Sequence, residues 1–166
     1  MTVIISDLVR EHAERVGLHE GQVSDYVERV VTGYIECMLW SESCRGTAPQ
    51  SVCDHFGKTG DERSDCDKSL SHDLNYGECD LAGEAWESIR SDVENFTVAN
   101  WADLYGRNEW MDAGQAGHDF WLTRNGHGAG FWDRGLGDRG QRLTDEAHVY
   151  GEATAYVGDD GLIYVD

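Results

Sequence analysis

The sequence predicts an α+β fold, with N-terminal helices packed against a C-terminal β-β-α-β-β antiparallel unit. Three observations predict it. Apolar residues recur at helical spacing in two separate stretches, one centred on Val30 and one on Ile89. A glycine-bearing turn, Asn125-Gly126-His127-Gly128, lies between two short aromatic-rich runs. A second turn, Gly158-Asp159-Asp160-Gly161, lies between two short apolar runs. With 166 residues, 40% of them hydrophobic and 10% aromatic, the chain is expected to form a single domain, 1–166, around a real core.

The elements follow in order. Residues 2–5 are a short β-branched run. Ser6 or Asp7 then caps a short helix that ends near Gly17. Val23, Tyr26, Val27, Val30, Val31, Tyr34, Ile35, Met38 and Leu39 mark a long helix from about residue 20 to about residue 41, whose wide apolar stripe is core. Residues 43–75 lose all periodicity, are rich in Ser, Asp, Gly and Cys, and hold the only proline, Pro49. They are expected to be a long loop or insertion. Leu81, Ala85, Trp86, Ile89, Val93 and Phe96 restore the helical period up to about Asn100, with one more turn at 101–105 and a polar connection at 106–117. Strands are expected at 118–124 and 129–134, a helix at 136–150, and strands at 153–157 and 162–165.

The densest stretch is DFWLTRNGHGAGFWDR, residues 119–134. Read as a hairpin with Gly126 and His127 at its tip, it pairs Trp121 with Trp132 and Asp119 with Arg134 at its base. Phe120, Leu122 and Phe131 then share one face. These contacts build a hairpin without requiring any activity. Arg124, Asn125 and His127 crowd the turn, with Asp133 nearby, and are the candidate contact or catalytic residues. His127 is the natural general base or ligand among them. No phosphate loop, His-Glu-x-x-His or Gly-x-Ser-x-Gly motif is present in the sequence, so no catalytic set is assigned.

Charge is the compositional outlier. Thirteen Lys and Arg face 32 Asp and Glu, for a net charge of −19. No basic cluster exists to neutralise phosphates or an anionic membrane, so direct nucleic-acid and membrane binding are disfavoured. The expected partner is instead a protein with a basic surface. The more economical account of the acidity is solvation, as in a salt-adapted protein. The sharper account is mimicry, in which carboxylates spaced like phosphates fill a basic DNA-binding groove. The first 17 residues carry Asp7, Glu11 and Glu14 and no signal-like apolar run, so a cytoplasmic protein with reduced thiols is expected. Cys44, Cys53, His55 and Cys66 form a candidate structural zinc set, although their spacing is irregular and no Cys-x-x-Cys pair occurs. No other cofactor is expected. Cys37 falls on the long helix as a small core residue.

The run AGHDFWLTRNGHGAGFWDRGLGDRGQRLTDEA, followed by VYGE and YVGDDGLIYV, resembles a family of small accessory proteins of tailed bacteriophages and related viruses. GYIECMLWSES and the segment around residues 80–96 share in the resemblance. The cysteine-bearing loop departs from the family pattern, which makes any metal site particular to this chain. The resemblance implies an accessory protein made in the host cytoplasm, with no activity to carry over. Three functions are therefore ranked. First is a viral accessory binding protein, a DNA mimic or an inhibitor of a host nucleic-acid-handling or defence protein. Second is a small enzyme or ligand-binding protein using Arg124, Asn125 and His127. Third is a virion structural or assembly protein.

Overall fold

The computed structural model describes residues 6–43, 69–70, 75–106 and 110–166. The run at 2–5 and most of the expected loop, at 44–68 and 71–74, lie outside the described residues. What is described is mostly helical. Six helices, α1 Asp7–Val16, α2 Glu20–Ser41, α3 Gly83–Ala99, α4 Trp101–Leu104, α5 Ala113–Arg124 and α6 Asp138–His148, accompany two strands, β1 Ala155–Val157 and β2 Ile163–Val165. Short 3-10 turns occupy Glu78–Asp80 and Phe131–Asp133. The chain divides into two compact units, Met1–Tyr34 with Arg90–Glu152, and Ile35–Ile89 with Ala153–Asp166.

The N-terminal helices form where the sequence signals them. Ser6 caps α1, its hydroxyl accepting from the Val9 amide at 3.3 Å. The helix stops at Gly17, whose φ of 71° is left-handed, and the Leu18 amide donates back to the Ala13 carbonyl. Every apolar residue of the expected stripe on α2 is buried, from Val23 to Leu39. In the first unit, Phe96 stacks on Phe120 with ring centroids 4.0 Å apart, and Phe131 and Tyr150 close around them. Helix α5 crosses α2 with almost no gap. A Cβ on Gly117 would run into the Val30 carbonyl oxygen and the Tyr34 amide nitrogen, and one on Gly33 into the Gly114 backbone.

The C-terminal hairpin is formed as expected. Ala155, Tyr156 and Val157 pair antiparallel with Val165, Tyr164 and Ile163. Leu81 adds a parallel bridge to Ile163 in the same unit, and the Ala82 amide donates to the Ile163 carbonyl at 2.8 Å.

The first hairpin is not formed, and with it the β-β-α-β-β unit gives way to a single two-stranded sheet among the described residues. Residues 113–117, expected as the end of a polar connection, and 118–124, expected as a strand, are one helix, α5. Asp112 starts it, accepting from the Gln115 amide at 3.0 Å. Ala113, Ala116, Gly117, Phe120, Trp121 and Arg124 then lie on one buried helical face. Asn125-Gly126 ends the helix instead of turning a hairpin. Gly126 takes a φ of 63°, its amide donates to the Thr123 carbonyl, and the His127 amide donates to the Leu122 carbonyl at 2.9 Å. That pair of bonds is a Schellman stop. The second expected strand is the 3-10 turn Phe131–Asp133. Trp121 is fully buried and lies edge-on to Tyr34, whereas Trp132 is exposed, so the cross-strand tryptophan pair does not arise.

Candidate functional site

The three residues expected at the hairpin tip, and Asp133 expected nearby, take local roles in the new geometry. Arg124 is only 6% exposed. Its guanidinium donates to the Gly151 and Tyr150 carbonyls at 2.8 and 2.9 Å, to the Tyr34 hydroxyl at 2.8 Å and to Asp92 at 2.9 Å. It also lies over the Phe120 and Tyr150 rings. Four of its five N–H groups are thereby engaged inside the first unit, which leaves little for a substrate. Asn125 closes the end of α5, its amide donating to the Trp121 carbonyl at 3.0 Å. The Asp133 carboxylate accepts from the Gly130 amide at 3.1 Å, which caps the 3-10 turn. His127 is half-buried, and its Nε2 is buried with no hydrogen-bond partner.

The expected ion pair between Asp119 and Arg134 is present, but it is built differently. Asp119 is completely buried on α5 and receives Nε and Nη2 of Arg134 at 3.0 and 2.7 Å, with a further bond from Gln115. The bidentate geometry fixes the return from α5 to the 3-10 turn.

The expected zinc residues Cys44, Cys53, His55 and Cys66 lie outside the described residues. Among the described residues, no group of His, Cys, Asp and Glu is arranged to hold a metal. Cys37 is buried on α2, as expected, and Cys79 is exposed. No described helix is long and apolar enough to cross a membrane.

Two surface features emerge that the residue patterns did not announce. The first is a segregation of charge. Six arginines of the first unit are held in ion pairs within it: Arg10 with Asp7, Arg29 with Asp112, Arg90 with Glu28 and Glu94, Arg124 with Asp92, Arg134 with Asp119, and Arg142 with Asp103. The described residues of the second unit hold Glu36, Glu42, Glu78, Asp80, Glu84, Glu87, Asp159, Asp160 and Asp166 and no Lys, Arg or His. Its cations Arg45, Lys58, Arg63 and Lys68 lie outside the described residues. On this unit Tyr156 and Tyr164 stack across the hairpin at 5.8 Å and line an open groove of about 390 Å³ with Glu84, Asp159 and Asp160. The Leu162 amide and the Tyr164 hydroxyl both donate to Asp160, which holds its carboxyl below the usual range and keeps it charged.

The second feature is a concavity of about 730 Å³ in the first unit. Arg15, Val16 and Leu18 from the end of α1 line it, together with Trp101, Tyr105 and Trp110. Tyr105 and Trp110 form an antiparallel bridge. Behind the wall, His12 is 4% exposed and lies edge-on to Trp101, with ring centroids 5.0 Å apart. Arg15 donates to its Nδ1 at 2.5 Å. Burial and the adjacent guanidinium both push the His12 pKa down, so the ring is neutral and accepts that bond. Sequence reasoning missed this site because its two walls are far apart in the chain. The one local signal was the i, i+3 spacing of His12 and Arg15 on a helix.

No family model, curated protein or solved structure matches this chain.

Proposed function

We propose that the chain is an acidic accessory binding protein, acting in a host cytoplasm, that engages a partner protein through a basic surface on that partner. The charge segregation carries this reading. Six arginines in the first unit are held in ion pairs within it, while the described residues of the second unit include Glu84, Glu87, Asp159 and Asp160 and no Lys, Arg or His. Such a surface favours basic partners by steering and complementarity, and repels nucleic acid. The viral setting rests on the resemblance of the 119–134 motif. The partner class that fits it is a nucleic-acid-handling or defence protein, whose basic groove the carboxylates would occupy in place of DNA.

The test is charge neutralisation by face. Binding to a fluorescent oligoarginine peptide is compared for Glu84→Gln/Glu87→Gln/Asp159→Asn in the second unit and Glu11→Gln/Glu14→Gln/Asp145→Asn in the first. The expected loss is about tenfold for the former and much less for the latter, with wild-type binding weakening steeply as salt rises. Equal losses would remove the second unit as the binding face. In host extract, the captured proteins should be displaced by competing duplex DNA. Capture unaffected by DNA would end the mimicry part of the proposal.

A further inference from the structure

The aromatic concavity of the first unit is independent of the anionic face and opposite to it in chemistry. Its volume of about 730 Å³ falls within the roughly 300–1,000 Å³ of small-molecule sites. Its lining is rich in aromatic and apolar side chains: Trp101, Tyr105 and Trp110, with Val16 and Leu18. Trp110 is 63% exposed, a large ring left uncovered beside a pocket. Arg15 adds a guanidinium to the lining.

Arg15 is the informative residue. In a chain with 32 acidic and 13 basic side chains, an arginine is expected to find a carboxylate, and Arg10, Arg29, Arg90, Arg124, Arg134 and Arg142 do. Arg15 has no carboxylate within ion-pair distance among the described residues, and its bond goes to a buried neutral imidazole. His12 cannot neutralise it. It can only hold it in place, because the ring is itself fixed against Trp101. The result is a positioned cation with unspent N–H donors at the edge of an aromatic slot.

We propose that this concavity binds a small planar aromatic anion, its ring lying against Trp101, Tyr105 and Trp110 and its single carboxylate accepting from Arg15. A singly charged ligand is favoured, because among the described residues one guanidinium, that of Arg15, lines the slot, and the chain's surplus of carboxylates disfavours a polyanion. A phosphate-rich chain is excluded on the same ground. A cationic ligand is excluded by Arg15 itself.

The test uses 2-naphthoate and its uncharged analogue 2-naphthamide, titrated into the full chain while the indole N–H resonances of the tryptophans are followed. Saturable shifts at Trp101 and Trp110 are expected for naphthoate, at concentrations of roughly one millimolar or below, with naphthamide about tenfold weaker. Arg15→Gln should bring naphthoate down to the level of naphthamide and leave naphthamide unchanged. Arg15→Lys should keep part of the preference, and Trp110→Ala should weaken both probes. Arg15 is exposed, so its variants are expected to keep the wild-type thermal midpoint. If Arg15→Gln does lower that midpoint, the naphthoate-to-naphthamide ratio in Arg15→Lys decides instead. The proposal is overturned if naphthoate leaves the Trp101 and Trp110 indoles unmoved, or if the deciding variant keeps the full wild-type preference in the first case or loses all of it in the second.

Discussion

Arg124 shows how a residue suited to catalysis can be consumed by architecture. Its side chain is 6% exposed and its donors reach two carbonyls, a tyrosine hydroxyl and Asp92. Removing the guanidinium would take away a donor shared by four acceptors, among them the buried Tyr34 hydroxyl and the half-buried Asp92 carboxylate. Arg124→Ala is therefore expected to cost about 3 kcal/mol in urea unfolding. Arg124→Lys should recover only part of that, because a lysine cannot span the same fork of acceptors. A variant with unchanged stability would mean that the acceptors find water instead. His12 makes a second prediction at this scale. Its pKa is lowered in the folded chain, by burial first and by Arg15 second, so protons bind the unfolded chain more readily. Its contribution to stability is complete above the ordinary histidine value near 6.5 and is lost as pH falls through the lowered folded value. The thermal midpoint should drop on acidification from neutral pH, and His12→Gln should flatten that part of the profile. An identical profile in the variant would assign the acid sensitivity to other groups.

At the scale of elements, the decisive signal is the Asn125-Gly126 pair. Gly126 holds a left-handed φ of 63° at the end of α5. Gly126→Ala should cost about 1 kcal/mol through backbone strain alone. Gly117→Ala should cost about 2 kcal/mol or more by forcing α5 away from α2, where no room exists for a methyl group. Chemical denaturation of the two variants would separate these sizes, and a tolerated Gly117→Ala would show that the crossing can open at little cost. The same residues show what the sequence made legible. Helix α2, helix α3 and the β1–β2 hairpin could be read because each carries its full period or turn locally. Helix α5 could not, because its first turn, Ala113–Gly117, has small residues where a stripe is sought. Cutting the segment at His118 left a stretch too short to separate alternation from helical spacing. Asn-Gly then fits either a hairpin turn or a helix stop, since both need a left-handed residue. The pairing of Asp119 with Arg134 was still anticipated, because either geometry reverses the chain between them. The aromatic concavity was not, because nothing local ties Arg15 to Trp101 and Trp110.

For the whole molecule, the question is what a net charge of −19 does. Surplus like charge opposes the compact state, and salt relieves that repulsion. Salt also weakens ion pairs, but the exposed ones here, such as Arg29 with Asp112, are worth little each. The buried ones, Asp119 with Arg134 above all, are screened much less. Repulsion should therefore dominate the response. Raising sodium chloride from about 0.01 to about 0.3 M, where the screening length shrinks from roughly 30 Å to below 8 Å, should raise the thermal midpoint by about 2–4 °C for each kcal/mol relieved. Whether the rise stops there separates the two accounts of the acidity. Screening is nearly complete by about 1 M, so a chain whose carboxylates are kept for a basic partner should reach a plateau. A chain adapted to brine should continue to gain stability beyond it. A midpoint that climbs steadily through several molar salt would favour solvation and count against partner binding as the reason for the charge. A plateau, combined with peptide binding lost over the same salt range, would place the carboxylates at an interface.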